Sequence, residues 1–337
     1  SLTAQEVQEV QNSVIFKRTA SWCGNCGTWG WSLFEGLLNE INQGGIMIAA
    51  HYSGDLTASA AKDITDHFGA FSQPRFYVNE IDQSVSSGNW QSKKEDIKGQ
   101  VQAAFDNTAP VANIGMEAFY HEDIQEVELK TKVKFFQQAS GNFRLGLYLI
   151  QNDVINFQSG QGSNAVHKKV MRESLVGTSF GQPLFEGTVN AQAEFDETFQ
   201  FLIPDPNGNL NEIVAIIWDE AANGDYSIIN ASMVNEFGEP VVNNISEIPS
   251  NLADMTIMPT VSENSTNIEV TLSQDFKNVE LEIFNVLGQS VLNLSNDNLT
   301  EGTHNFEVTK AKIGGAGQYF VRMKIGNQIK TKSLIFK

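Results

Sequence analysis

Cys23 and Cys26 are the only cysteines among the 337 residues of this chain, and they lie three positions apart. A short apolar run at residues 14–16 precedes them. After them, apolar residues recur at spacings of three and four, which predicts one amphipathic helix from near Cys23 to Asn42. A strand, a Cys-x-x-Cys pair and a helix in this order form the arrangement in which a dithiol carries out redox chemistry.

The predicted helix start bears on the reactivity of Cys23. Unpaired backbone N–H groups and the helix dipole favour a thiolate at that position, and a lowered thiol pKa makes a cysteine nucleophilic near neutral pH. In thiol–disulfide exchange, Cys23 would attack a partner disulfide and Cys26 would resolve the mixed disulfide. The expected partners are therefore protein thiols or disulfides.

Two other interpretations of the cysteine pair stay open. The pair could be structural and inert, or it could be half of a metal site. A zinc site needs four ligands, so His51 and His67 would have to complete it, and their spacing of sixteen residues fits no compact zinc pattern. We predict that the site holds no metal and that the protein needs no cofactor beyond its dithiol.

Charge and hydropathy exclude some function classes. The net charge of −18 argues against binding to nucleic acid, which depends on clustered Lys and Arg. No apolar run approaches the ~18 residues that a transmembrane helix needs, so we predict none. Residues 256–337 contain eight Lys and Arg against eight Asp and Glu. Residues 1–255 therefore carry the whole net charge.

The hydrophobic period divides the chain into parts. Strand and helix patterns alternate through residues 1–108, which predicts an α/β domain. Residues 109–237 show a period of two without convincing helices, which is typical of a β-sandwich, with 158–190 as a long Gly- and Ser-containing connection. Residues 238–255 indicate a linker. The period of two returns in 256–337, a second, smaller sandwich.

The first part resembles a thioredoxin-fold domain. Residues 22–26, Trp-Cys-Gly-Asn-Cys, resemble thioredoxin's Trp-Cys-Gly-Pro-Cys, and Gln73 and Pro74 match the loop that carries a cis proline in that family. The resemblance implies a substrate groove around the cysteines. The alternative is that Pro74 is an ordinary trans turn proline, and the sequence alone favours this alternative. The implied groove residues are Trp22, Gly24, Asn25, Gln73 and Pro74.

Two positions depart from the thioredoxin pattern. Lys17 stands where the family has a buried aspartate, and Gly27 stands where relatives often have proline. We expect Lys17 to act as a cation, which lowers the thiol pKa but cannot accept the thiol proton.

The middle part resembles exported, thioredoxin-like proteins of Bacteroidetes that are related to outer-membrane proteins. The segments that carry this likeness are 167–172, 217–219 and 228–231. For the basic cluster in 167–172, a solvated loop is favoured over an anion site. Trp218 is interpreted as a core residue rather than a ligand platform. Residues 205–211 superficially resemble a calcium loop, but a polar hairpin turn is favoured.

The last part resembles the type IX secretion sorting domain of the same phylum, through residues 279–289, 317–323 and 330–337. This resemblance implies passage through the periplasm and outer membrane with the type IX secretion machinery as partner. The protein would then be secreted or attached to the outer-membrane surface. The alternative is a generic Ig-like binding module.

The fold class predicted for the whole chain is therefore an α/β thioredoxin-like domain followed by two all-β Ig-like sandwich domains. The predicted function is exported thiol–disulfide exchange through the Cys23–Cys26 dithiol. The alternative is a secreted or surface-attached binding protein whose first domain is a scaffold without turnover. An exposed Cys23 that faces a cis Pro74 would favour exchange, and a buried pair with a trans proline would favour a scaffold.

Overall fold

The computed structural model of the chain describes residues 7–69, 72–238, 246–326 and 328–337. The chain divides into two compact units, Ser1–Glu239 and Pro240–Lys337. The fold is mostly β and contains several sheets. Among the described helices, none is both long and apolar enough to cross a membrane.

Strands and helices alternate in the first part of unit 1. The single helix predicted after Cys23 is in fact two helices, because Thr28 leaves the helical backbone conformation with φ −104° and ψ −105°. The elements of this part are β1 Ser13–Ala20, α1 Gly24–Gly27, α2 Trp29–Glu40, β2 Gly45–Ser53, α3 Ser59–His67, β3 Arg75–Val78, β4 Ile81–Asp82 and α4 Trp90–Asn107.

The rest of unit 1 consists of strands. Three of them lie within 158–190, which we predicted as a connection, because its short strands are interrupted by glycine turns. The strands are β5 Ala112–His121, β6 Glu126–Phe135, β7 Ala139–Gln151, β8 Val154–Gln158, β9 Gly162–His167, β10 Val170–Ser174, β11 Gln182–Val189, β12 Glu194–Leu202, β13 Asn211–Glu220, β14 Tyr226–Val234 and β15 Phe237–Gly238.

One large sheet runs through both parts of unit 1. Its strand order is β14-β13-β7-β10-β2-β1-β3-β4, and β11 pairs with β7 beside this path. Strand β10 joins the two parts: it pairs with β7, and its Val170 aligns with Ala49 of β2. The backbone N–H of Ala49 also donates to the carbonyl of Lys169 at 2.7 Å. The domain boundary at 108/109 remains a prediction, but the sheet is continuous across the two regions.

Both faces of the large sheet are covered. Helices α2 and α4 pack on one face at the β1–β3 end, and α3 packs on the other. At the β7–β13 end, a four-stranded sheet of order β12-β6-β5-β15 encloses a separate apolar core. Because β1 is central and covered on both sides, all eight of its residues are buried, polar ones included.

Trp218 lies in the core beside α3. Its side chain is fully buried, and its indole N–H donates to the hydroxyl of Tyr148 at 2.8 Å. The Tyr148 hydroxyl donates in turn to the carbonyl of Ser179 at 2.9 Å. Trp218 therefore satisfies its one polar group internally, and the prediction that it is a core residue is confirmed.

We expect Trp218→Ala to lower the free energy of unfolding by about 3–5 kcal/mol, because it removes a large buried ring and leaves a cavity. Urea unfolding followed by circular dichroism measures the change. Leu202→Ala is the control, since that side chain is 71% exposed and its loss should change stability by less than about 0.5 kcal/mol. Equal effects of the two variants would contradict the assignment of Trp218 to the core.

Unit 2 is a sandwich of a six-stranded and a three-stranded sheet. The larger sheet has the order β16-β24-β23-β20-β21 with β18 beside β24, and the smaller has the order β17-β19-β22. One apolar core lies between them. The elements are β16 Ser246–Glu247, β17 Ala253–Met258, β18 Val261–Ser262, β19 Ser265–Leu272, β20 Phe276–Asn285, β21 Ser290–Leu299, β22 Gly302–Thr309, a 3₁₀ helix Lys310–Ile313, β23 Gly317–Ile325 and β24 Gln328–Phe336.

The predicted linker, residues 238–255, overlaps unit 2. Residues 239–245 lie outside the described residues. After them, β16 pairs with β24, and Ile248 and Ala253 are buried in the core of unit 2. A strand of two residues has no readable period, so the sequence did not show that this stretch contributes to the second sandwich.

Candidate functional site

The cysteine pair lies between β1 and α2. Cys23 and Cys26 form a disulfide, with their Cα atoms 5.2 Å apart. Cys23 is the N-cap residue of the four-residue helix α1, and the backbone N–H of Cys26 donates to its sulfur at 3.1 Å. The same N–H would stabilise a thiolate on Cys23 when the disulfide is open. The structure thus places Cys23 at a helix start, as the sequence predicts.

The loop before β3 brings Gln73 and Pro74 to the cysteines. The carbonyl oxygen of Gln73 lies 3.9 Å from the Cys23 sulfur. The Gln73–Pro74 peptide bond is cis, which differs from the trans form that the sequence alone favoured. Pro74 packs closely on α2 at Gly30, where a Cβ would lie 2.7 Å from the Pro74 ring.

Trp22, Gly24 and Asn25 lie on the outer side of the motif, and all three are exposed. Trp22 is 52% exposed. Its indole N–H donates to the hydroxyl of Ser53 at 3.3 Å, and its ring packs edge-on against Tyr52. The predicted groove residues therefore border the cysteines, and their roles in substrate binding stay predictions.

The hairpin of β8 and β9 covers the cysteine pair. Nε2 of Gln158 donates to the carbonyl oxygen of Cys23 at 3.0 Å. The backbone N–H of Ser159 donates to the carbonyl oxygen of Ser21 at 2.8 Å. The tip of the hairpin is therefore bonded to the backbone of the dithiol turn itself.

Gly27 makes this close approach possible. A Cβ at Gly27 would lie 1.9 Å from the carbonyl oxygen of Ser159, so no side chain fits there. The carbonyl oxygen of Gly27 accepts a hydrogen bond from Nε2 of Gln161 at 2.6 Å. Gly27, which departs from the thioredoxin pattern, is thus the position where the hairpin tip rests.

The hairpin changes the exposure of the cysteines. Cys23 is 6% exposed and Cys26 is fully buried. The structure therefore combines a cis Pro74, the feature expected for exchange, with a buried cysteine pair, the feature expected for a scaffold. Sequence reasoning missed the hairpin because its strands have only five and six residues. The one available signal was the alternation of Ile155 and Phe157 before a Ser-Gly turn.

Lys17 is buried beneath the cysteine pair. Its Nζ donates to the carbonyl oxygen of Cys26 at 3.3 Å and lies 5.3 Å from the ring centroids of Trp31 and Phe34. Burial lowers the pKa of Lys17 to about 7, and the charge of Glu35 opposes this change. With a pKa near 7, part of this amine is neutral at neutral pH and can accept a proton, which the expectation of a permanent cation did not include.

The basic cluster at residues 167–172 does not form a solvated loop. His167 is buried, and Lys169 forms an ion pair with Glu212 at 2.6 and 2.8 Å. Lys168 is exposed. The cluster is divided because β10 enters the large sheet here, so its members face different surroundings.

His51 and His67 lie on opposite faces of the large sheet. His51 faces α2, whereas His67 on α3 accepts the backbone N–H of Tyr226 at 3.1 Å. In the part of the chain that the structure describes, no group of three or more His, Cys, Asp and Glu residues could hold a metal.

The stretch at 205–211 joins β12 to β13. One carboxylate oxygen of Asp205 accepts the backbone N–H of Gly208 at 2.9 Å, so it stabilises the turn itself. A polar turn, which the sequence favoured, is the observed conformation.

Residues 256–337 match the family model of the secretion system C-terminal sorting domain. This segment is a sorting domain. The sorting domain indicates export of the protein, with surface attachment or secretion, and it implies interaction with the type IX secretion machinery. A comparison with curated proteins finds no match.

Over nearly its whole length the chain is similar to a solved structure, that of HBP35 of Porphyromonas gingivalis. The TM-score is 0.59 at 16% identity, and the match covers 98% of this chain and 99% of that one. At this identity the likeness shows the fold alone. Red sea bream transglutaminase (TM-score 0.23, 8% identity, 88% of this chain and 42% of that one) is too dissimilar to carry an argument. The exo-chitosanase CsxA of Amycolatopsis orientalis is also too dissimilar, with a TM-score of 0.20 at 11% identity over 65% of this chain and 26% of that one.

Proposed function

We propose that this exported protein is a thiol–disulfide oxidoreductase with a thioredoxin-like first domain. In this proposal Cys23 is the nucleophile that forms a mixed disulfide with a protein substrate, and Cys26 resolves it. No metal or cofactor takes part. The sorting domain supports an extracytoplasmic place of action, where disulfides form and persist.

One observation carries the proposal most directly. The cysteines form a disulfide at a helix start, and a backbone N–H is already directed at the Cys23 sulfur at 3.1 Å. The neighbouring carbonyl of Gln73, 3.9 Å from the same sulfur, offers a backbone acceptor to an extended substrate segment. These are the groups that activate a thiol and align a peptide beside it.

A second candidate is a surface or secreted binding protein whose dithiol does not turn over. The covering hairpin favours it, because Cys23 is only 6% exposed. The outward side of this hairpin also carries exposed apolar side chains: Ile155 at 68%, Phe157 at 47% and Val166 at 41%. A binding surface needs such side chains, whereas exchange needs access to sulfur.

Reduction of insulin disulfides by dithiothreitol tests the proposal. We expect the wild-type protein to accelerate the reaction and Cys23→Ser to reduce the rate to that of dithiothreitol alone, since the variant lacks the attacking sulfur. Cys26→Ser should instead accumulate a mixed disulfide on Cys23, which mass spectrometry detects.

The control compares melting temperatures. Because each variant lacks the disulfide, its melting temperature is compared with that of the reduced wild type, so that a lost rate is not confused with unfolding. Equal rates for wild type and Cys23→Ser would reject the oxidoreductase and leave the binding protein.

A further inference from the structure

A small cavity lies beside Lys17 on the α2 side of the large sheet. Its lining includes Thr19 on β1, His51 on β2 and His167 at the end of β9. The cavity volume is about 20 Å³. A water molecule needs about 10–15 Å³ on this measure, so the cavity has room for one.

Three buried polar atoms of these lining residues have no hydrogen-bond partner among the described residues. They are Oγ1 of Thr19, Nδ1 of His51 and Nε2 of His167, and all are buried. Buried polar atoms in native proteins are nearly always bonded to protein or to ordered water. A buried water makes two to four hydrogen bonds, and these three atoms together with the Lys17 amine can supply them.

The imidazoles around the cavity are neutral at pH 7. Burial lowers the pKa of His51 well below its usual range, and the charges of His167, Lys17 and Arg172 act in the same direction. Burial and the charge of Lys17 also lower the pKa of His167. Hydrogen bonds between His167 and the backbone of Phe157 and Asn156 oppose this change. The titratable and charged groups around this site are Lys17 on β1, Glu35 on α2, His51 on β2, His167 and Lys168 at the end of β9, and Arg172 on β10.

We propose that Lys17, His51 and His167 hold one water molecule, that the Lys17 amine takes up the thiol proton of Cys26 during exchange, and that this proton then leaves through the water and His167. Lys17 links the two places, because it lines the cavity and its Nζ lies 3.3 Å from the Cys26 carbonyl oxygen. The inference rests on the proposed function. It adds Lys17 of β1 as the proton acceptor, and it adds a proton path that includes His167 of the covering hairpin.

The step begins with Cys23 in a mixed disulfide with the substrate and Cys26 as a thiol. The neutral amine of Lys17 takes the thiol proton and becomes an ammonium. The Cys26 thiolate attacks the Cys23 sulfur, the bond from Cys23 to the substrate sulfur breaks, and the substrate leaves as a thiolate with the electron pair. The two cysteines are thereby oxidised and the substrate is reduced. The ammonium returns its proton through the water and His167 to solvent, where the substrate thiolate is protonated.

Release of thionitrobenzoate measures this step directly. Reduced protein is mixed with Ellman's reagent, and attack by Cys26 on the Cys23 mixed disulfide releases the second thionitrobenzoate at rates recorded from pH 5 to 9. For wild type we expect the rate to rise as pH rises through about 7 and then to level, because the neutral amine is the accepting form. For Lys17→Met we expect a rate at least about a hundredfold lower at pH 7, rising until about pH 8.5, as for an unassisted thiol.

Two further variants and one spectrum complete the test. Lys168→Met removes an exposed charge from the same cavity wall and should keep the wild-type profile. His167→Gln should keep it too, because His167 passes the proton on only after thionitrobenzoate has left. Lys17→Met should fold, because an apolar side chain removes the cost of a buried amine. In wild type, ¹⁵N NMR should show the Lys17 amine titrating near pH 7.

The outcomes separate this inference from the proposed function. A wild-type profile for Lys17→Met, or an amine that titrates near its ordinary value of about 10.4, would overturn the role of Lys17 and leave exchange by the dithiol intact. If wild type released the second thionitrobenzoate no faster than Cys26→Ser, the oxidoreductase itself would be rejected, and the role of Lys17 with it.

Discussion

Gly27→Ala should speed reduction of the Cys23–Cys26 disulfide by dithiothreitol by roughly tenfold or more, because access to the sulfurs limits this reaction. The new Cβ would lie 1.9 Å from the carbonyl oxygen of Ser159. That oxygen belongs to the backbone, so no side-chain rotation relieves the clash. The hairpin tip has to move by about 1.5 Å to restore ordinary contact, and the cysteines become exposed.

Stability should fall in the same variant. The hydrogen bond from Gln161 to the Gly27 carbonyl, 2.6 Å long, and the bond from Gln158 to the Cys23 carbonyl, 3.0 Å long, both depend on the docked tip. Overpacking typically costs about 1–3 kcal/mol. Urea unfolding measures this loss, and stopped-flow thiol detection measures the reduction rate.

Gly24→Ala is the matched control for this prediction. It adds the same methyl group to the same short helix, but its Cβ would lie 3.7 Å from Oγ of Ser159, an ordinary contact. We expect its reduction rate and stability to stay close to those of wild type. If Gly27→Ala also matched wild type in both measurements, the hairpin would not restrict access to the dithiol.

Deleting residues 240–337 should abolish export past the periplasm. The deletion removes the whole of unit 2, including the sorting domain at 256–337. The truncated protein should accumulate in the periplasm, with background levels at the cell surface and in the medium. Immunoblots of periplasm, outer membrane and medium measure this distribution.

The boundary between the two units determines where the chain should be cut. A cut at 256 would leave Ile248 and Ala253 without the core that buries them, and β16 without its partner β24. A cut before 240 leaves unit 1 with its own cores. It should therefore melt as a folded unit.

Two controls accompany the deletion. Full-length Met258→Ala changes a side chain that is 70% exposed on unit 2 and lies outside the three segments that resemble the sorting domain. It should be exported normally, as should full-length Cys23→Ser. Unchanged surface or medium levels of the truncated protein would contradict the role of the sorting domain.

Many strands and helices could be predicted from the sequence, because the spacing of apolar residues depends only on neighbouring positions in the chain. The period of two predicted the strands of unit 2, and the residues quoted from 279–289 and 317–323 led to the sorting domain, which the family match confirms. Trp218 was interpreted as a core residue, and its indole is fully buried. The interrupted helix at Thr28 and the two-residue strand β16 were not readable, because single backbone angles and isolated bridges leave no period.

The sequence by itself determined that the chain has one dithiol, that it follows a strand and precedes a helix, and that the C-terminal part is a sorting domain. Only the tertiary structure decided what surrounds the dithiol. Gln158 bonds to Cys23 across 135 residues, and the pKa of Lys17 falls to about 7 because the folded chain excludes water from it. Spacing along the chain fixes which residues share a strand or helix, whereas burial, and with it access to sulfur and the pKa of an amine, depends on contacts between distant residues.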